Sequence, residues 1–138
     1  LVDPFDGRAE PGHGYRSIGQ FEEFLNRMEP VKDHINVLRL PSLDAAATYP
    51  DQSLDFVYID AEHTYAAVKQ DIMAWLPKVK PGGILAGHDY RHGAEFGPMV
   101  CVAVSELLPE HTVFNDLPGI SPVWVYTKPN DDTVNSTP

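Results

Sequence analysis

Acidic, imidazole and hydroxyl side chains follow several predicted strands of this chain. Asp3, Ser42 and Asp60 each come after an apolar run, and His88 and Asp89 come together after another. In open α/β sheets, ligands lie outside the carboxyl ends of the parallel strands. Carboxylates accept hydrogen bonds and bind cations, and imidazoles transfer protons near neutral pH. The sequence therefore predicts a polar site at this edge of a sheet.

The elements that position these residues alternate between strands and helices. A near-continuous apolar run over residues 54–60 is typical of a strand that is covered on both faces. Pro81-Gly82-Gly83 predicts a turn into the next strand. Further strands are predicted at 34–40, 84–87, 112–114 and 123–126, and helices at 18–28, 45–49, 65–80 and 98–108. This order indicates an α/β fold.

Composition excludes several classes of partner. The 138 residues carry a formal net charge of −10, which disfavours nucleic acid and anionic membrane surfaces. No apolar run is long enough to span a membrane. The single cysteine, Cys101, forms no intramolecular disulfide and lies in an apolar run typical of a packed core. We therefore expect a cytoplasmic protein whose partners are neither nucleic acid nor a membrane surface.

Two segments resemble the class I S-adenosylmethionine-dependent methyltransferases. Residues 55–65, with the form Ile-Asp-x-x-His-x-Tyr, are similar to the fourth family strand and the loop after it. Residues 76–90, which end in Gly-His-Asp-Tyr, are similar to the fifth strand. The closest branch is a bacterial methyltransferase-domain group, and its distant relatives are metal-dependent catechol-type O-methyltransferases. The resemblance implies a Rossmann-like fold with a mostly parallel sheet and an antiparallel last strand.

The resemblance also implies how the cofactor is held. Asp3, at the end of the second family strand, matches the residue that accepts hydrogen bonds from the ribose hydroxyls of S-adenosylmethionine. Ser42 follows the third strand, where the family contacts the adenine, although serine is also a common turn residue. Asp60 is assigned to the cofactor site as well.

A divalent metal is the second implied cofactor. The resemblance makes Asp60, His88 and Asp89 its ligands, because the two acids end adjacent strands. Oxygen ligands suit Mg²⁺, and an imidazole favours Mn²⁺ or another transition metal. The alternative is that the acids bind water, or the ammonium group of the cofactor, and no metal.

His63 lies three residues after Asp60, where the catechol-type relatives place a lysine base. The resemblance therefore implies that His63 takes a proton from the acceptor hydroxyl, which then attacks the methyl group. The alternative is a histidine that bonds the backbone at the start of a helix. The remaining histidines have no evident partners in the sequence and are predicted to lie at the surface: His13, His34, His92 and His111.

The chain departs from the family at its start. The family strand order is 3-2-1-4-5-7-6, and the first strand with its glycine-rich loop has no counterpart in the sequence. We expect a partial methyltransferase domain over 1–128, a disordered polar tail over 129–138, and association as a symmetric homodimer. A non-catalytic remnant that acts as an interaction or assembly module is the alternative function. A metal-dependent hydrolase using Asp60, His88 and Asp89 ranks last.

Overall fold

A computed structural model describes residues 1–3, 20–90, 99–115 and 121–130. The chain forms two compact units, Leu1–Ala45 and Ala46–Pro138. Residues 4–19, 91–98, 116–120 and 131–138 lie outside the described residues, and with them the surface positions predicted for His13 and His92 and most of the predicted tail. No helix among the described residues is long and apolar enough to cross a membrane.

The first unit contains helix α1, Gln20–Met28, at the position that the helical spacing predicted. A short 3-10 helix follows at Glu29–His34, with Pro30 in its first turn. The strand predicted over 34–40 is reduced to one parallel bridge between Val2 and Leu38. That prediction was wrong in extent, because His34 ends the 3-10 helix and the segment contacts the chain start through the bridge at Leu38 and a hydrogen bond from the Leu1 ammonium to the carbonyl oxygen of Asn36.

The second unit is built on a four-stranded sheet in the order β1-β2-β4-β3. The strands are β1 (Leu54–Ile59), β2 (Val79–Gly87), β3 (Thr112–Phe114) and β4 (Val123–Thr127). β1 and β2 are parallel, whereas β4 is antiparallel to both β2 and β3. This order matches the last four family strands, 4-5-7-6, and confirms the Rossmann-like fold with its antiparallel last strand.

The remaining α-helices of the described residues are α2 (Ser42–Ala47), α3 (Tyr65–Trp75) and α4 (Met99–Leu107), and a second 3-10 helix, Leu76–Lys78, follows α3. α3 buries Val68 and Ile72, and α4 buries Val100, Cys101 and Val104. Leu85 of β2 and Trp124 of β4 are almost fully buried in the same unit. Cys101 is a packed core thiol, as its apolar surroundings in the sequence predicted.

The Pro81-Gly82-Gly83 turn was predicted wrongly, because these residues lie inside strand β2. Leu54 pairs with Val79 and Phe56 pairs with Ile84, so β2 advances five residues while β1 advances two. Gly82 has a φ of 74°, a conformation that glycine adopts without steric cost. The segment is therefore an irregularity within the strand, which leaves the chain direction unchanged.

Gly87 ends β2 where the sheet has no room for a side chain. A Cβ atom there would lie 2.5 Å from the Trp124 ring and 2.6 Å from the carbonyl oxygen of Ile59. We expect Gly87→Ala to destabilise the fold by about 1–3 kcal/mol through overpacking. Urea unfolding measures the change, with Met73→Ala as a control at an exposed helical position. Equal stability of Gly87→Ala and the wild type would contradict this packing.

Candidate functional site

Two adjacent parallel strands bring the site residues together. Asp60 directly follows β1, and His88 and Asp89 directly follow β2. The amide of His88 donates a hydrogen bond to the carbonyl oxygen of Ile59 at 3.2 Å, which continues the pairing beyond Gly87. Because parallel strands end at the same edge, the side chains after them face a common space.

His63 enters the same space from the loop before α3. Thr64 caps that helix, and its hydroxyl accepts a hydrogen bond from the amide of Ala67 at 3.3 Å. His63 is therefore not the capping residue. Its Nε2 atom lies 3.2 Å from Oδ2 of Asp89 and 3.7 Å from Oδ1 of Asp60.

His88, which follows β2, approaches the same two carboxylates. Its Nδ1 atom lies 3.2 Å from Oδ2 of Asp89 and 4.0 Å from Oδ1 of Asp60. One ligand atom from each of Asp60, His63 and Asp89 lies within 4.8 Å of the others, as a shared metal ion requires. We call Asp60, His63, His88 and Asp89 the strand-end cluster. The family resemblance implied that His88 joins the acids as a ligand, and the structure brings His63 equally close to them.

Asp89 is the residue that links the other members of the cluster. Its φ is 56°, a left-handed conformation that aspartate adopts more readily than most residues. Burial raises the pKa of its carboxyl. The hydrogen bond from Ser121, the charges of His63 and His88, and a hydrogen bond with His88 lower it further than burial raises it. The net result is a pKa below the ordinary value of 3.8, so the carboxylate is ionised at neutral pH.

The negative charge of the cluster affects the pKa of Tyr58, which lies in β1. Burial is the largest influence on its pKa, and the charges of Asp60 and Asp89 add to it. All three raise the pKa of the phenol above its ordinary value of 10.0. Tyr58 therefore stays neutral and contributes no charge to the site at physiological pH.

A small cavity lies beside the cluster and is bounded by the sheet edge and by helices α3 and α4. His63 and His88 line it together with Val68, Val100 and Trp124. Its volume is about 10 Å³, close to the space that one water molecule needs. The cavity thus has the size for an ion or a water molecule beside the imidazoles.

The two residues predicted to hold the nucleoside lie in the first unit. Asp3 directly follows the bridge at Val2, and its amide donates to the carbonyl oxygen of Leu38 at 3.2 Å. Ser42 is the first residue of α2. Their positions follow strand-like segments, as predicted, and their contacts with the cofactor remain predictions.

Sequence reasoning missed Ser121 and misjudged His111. Ser121 is buried and donates to Asp89. An antiparallel β4 begins where β2 ends, so its position just before β4 could have indicated this role. His111 was predicted to lie free at the surface, and that was wrong. Its ring is half-buried, and Nε2 lies 2.9 Å from the hydroxyl of Tyr90.

The chain matches one family of known proteins in sequence and several solved structures in fold. A family model described as a methyltransferase domain matches residues 1–90. A Corynebacterium glutamicum protein superposes with a TM-score of 0.60 at 18% identity, covering 94% of this chain and 60% of that one. CalS11, a TDP-rhamnose 3′-O-methyltransferase in calicheamicin biosynthesis, superposes with a TM-score of 0.59 at 23% identity, covering 91% and 56%.

The fold is also found outside methyl transfer. Spermidine synthase from Thermotoga maritima has a TM-score of 0.56 at 13% identity, covering 83% of this chain and 41% of the synthase. The chain thus spans between two fifths and three fifths of these solved structures. At such identities the structures show the shared fold, whereas the family model covers most of the sequence. The chain belongs to the methyltransferase-domain family.

Proposed function

We propose that the chain takes part in S-adenosylmethionine-dependent methyl transfer to an oxygen of a small molecule, assisted by a divalent metal. The observation that carries the proposal is the strand-end cluster, in which two carboxylates and two imidazoles converge. The methyltransferase-domain family supports the methyl transfer. The likeness to an O-methyltransferase supports oxygen as the acceptor atom.

The donor set of the cluster fits a divalent cation. Asp60 and Asp89 supply the oxygen ligands that Mg²⁺ and Mn²⁺ prefer, and an imidazole adds the nitrogen that favours Mn²⁺. The low pKa of Asp89 keeps one of these ligands ionised at neutral pH. We propose Asp60, His88 and Asp89 as the ligands that hold the metal.

S-adenosylmethionine supplies an electrophilic methyl group, and a divalent cation supplies positive charge that lowers the pKa of an acceptor hydroxyl. In our proposal, His63 accepts the hydroxyl proton on its imidazole. Asp89 and Asp60 face Nε2 of His63 and would balance the charge of the imidazolium. Asp3 and Ser42 hold the ribose and the adenine of the cofactor.

A competing assignment exchanges the two histidines. The three-residue group within 4.8 Å contains His63 and not His88. In that assignment His63 is the third ligand, and His88 orients Asp89 through their 3.2 Å contact. The two assignments differ in which histidine governs metal affinity, and this difference can be measured.

Metal titration by calorimetry tests the cluster directly. We expect the wild type to bind MnCl₂ and Asp60→Asn to bind it at least about 10-fold more weakly, because even the outer partners of metal ligands contribute that much. His88→Ala should weaken binding, and His63→Ala should not. A loss of affinity in His63→Ala, with or without a smaller loss in His88→Ala, would assign the ligand role to His63. Asp55→Asn, which removes an exposed carboxylate on β1, is the control.

His63→Ala should affect turnover far more than cofactor affinity. Removal of a general base lowers turnover by roughly 10²–10⁴-fold. Release of S-adenosylhomocysteine with phenolic and sugar acceptors measures turnover, and calorimetry measures cofactor binding. Equal losses in both would make His63 a structural residue. Binding of neither metal nor cofactor by the wild type would favour the non-catalytic interaction module.

Ser121→Ala should raise the pKa of Asp89 toward its ordinary value. A carboxyl with a depressed pKa in the folded state stabilises the fold above its unfolded pKa, and this contribution is lost as pH falls through the folded pKa. Without the Ser121 hydrogen bond, this contribution should be smaller, and its loss should be complete at a higher pH than in the wild type. Carbon-13 NMR of the carboxyl groups measures the shift, with Ser53→Ala as a control in an exposed turn. An unchanged titration of Asp89 would show that the hydrogen bond from Ser121 does not affect the pKa of Asp89.

A further inference from the structure

Tyr90 comes directly after Asp89, and its side chain is held by two other elements. Its hydroxyl lies 3.0 Å from the hydroxyl of Ser105 on α4 and 2.9 Å from Nε2 of His111, which precedes β3. The Tyr90 and His111 rings also pack, with centroids 5.1 Å apart. These contacts belong to no part of the proposed chemistry, since none of these three residues is in the strand-end cluster.

The directions of these hydrogen bonds follow from the atoms available. Nδ1 of His111 lies 2.7 Å from the carbonyl oxygen of Leu108, and a carbonyl oxygen only accepts. In the neutral imidazole Nδ1 therefore carries the hydrogen, and Nε2 accepts from the hydroxyl of Tyr90. That hydroxyl has then used its only proton, so Ser105 donates to it. The hydrogen bonds therefore run in one direction, from Ser105 to Tyr90 and from Tyr90 to His111. The neutral tautomer of His111 determines this direction.

The backbone around Asp89 is fixed on both sides. The amide of His88 donates to Ile59, and the amide of Tyr90 donates to the carbonyl oxygen of Pro122 at 3.1 Å. Between them, Asp89 holds the left-handed φ of 56°. This conformation is uncommon for residues with a side chain, so its surroundings must hold it in place. The side chain of Tyr90, the residue after Asp89, reaches both α4 and the segment before β3.

We propose that Tyr90, locked by His111 and Ser105, is a positioning residue that holds the Asp89 carboxylate against His63 and His88. In this role it acts through Asp89 and needs no contact with the cofactor or the acceptor. The effect of Tyr90 on metal binding rests on the proposed function. Its effect on the arrangement of Asp89, His63 and His88 does not.

Another tyrosine provides a matched control. The hydroxyl of Tyr65 on α3 donates to Glu106, the residue next to Ser105 on α4. Tyr65→Phe and Tyr90→Phe therefore each remove a phenolic hydroxyl that bonds to a side chain of α4, although Tyr65 donates to the Glu106 carboxylate and Tyr90 accepts from Ser105. Only Tyr90 adjoins Asp89, so a general loosening of α4 would appear in both variants and a positioning effect in Tyr90→Phe alone.

The metal-dependent arm of the test is titration with MnCl₂ at fixed, mildly alkaline pH. We expect Tyr90→Phe to weaken binding about 10-fold, the scale of outer-shell effects on metal sites, and Tyr65→Phe to leave it unchanged. Thermal unfolding of both variants shows whether their stabilities fall together. His111→Phe keeps a ring without the acceptor and should behave as Tyr90→Phe. His111→Gln restores an acceptor and should recover part of the affinity.

The metal-free arm uses the nitrogen-15 shifts of the imidazole rings of His63 and His88, which respond to the nearby Asp89 carboxylate. We expect both to move in Tyr90→Phe and to stay in place in Tyr65→Phe. Failure of the wild type to bind manganese would overturn the metal proposal, and the imidazole shifts would still decide the role of Tyr90. Unmoved shifts in Tyr90→Phe, or equal movement in both variants, would overturn the positioning role.

Discussion

The parallel pairing of β1 with β2 is the constraint on which the site depends. Asp60 and Asp89 are 29 positions apart in the sequence, yet each leaves its strand at the same edge of the sheet. The bond from the amide of His88 to Ile59 extends this pairing by one residue and fixes where the turn after β2 begins. Because Gly87 has no side chain, β1, β2 and Trp124 of β4 approach closely at this point. A looser sheet edge would separate the two acids.

Two carboxylates at one sheet edge repel each other unless positive or hydrogen-bonding groups offset their charge. The chain supplies such groups from three directions. His63 comes from the loop before α3, His88 from the end of β2, and Ser121 from the residues just before β4. Their combined effect exceeds the burial of Asp89, which is why its pKa is lowered. The neighbouring phenol of Tyr58 responds in the opposite sense, because the same negative charges disfavour its ionisation.

The shared fold limits the chemistry less than the residues at the sheet edge do. The same architecture occurs in a sugar O-methyltransferase and in a spermidine synthase, so function has to be argued from the site. In this chain the sheet edge carries a pair of imidazoles beside the acids. Nitrogen ligands shift metal preference away from Mg²⁺, and an imidazole that is not a ligand can carry a proton at neutral pH. The division of these two roles between His63 and His88 is what separates the two assignments of the cluster.

The sequence by itself determined the strands β1 and β4, helices α1 and α3, and the strand ends at which Asp60 and Asp89 stand. These follow from local apolar periodicity and from the segments that resemble the family, which are properties of contiguous residues. It failed where pairing between distant segments decides the outcome. Pro81-Gly82-Gly83 has the composition of a turn, but pairing with β1 and with the chain near Lys128 keeps it within β2. His111 has no local signal, because its partner Tyr90 is more than twenty positions away in sequence. Ser121 can be placed beside Asp89 only once the antiparallel pairing of β4 with β2 is known. Only the tertiary structure brings these side chains together, since hydrogen bonds between distant segments depend on strand order and helix packing.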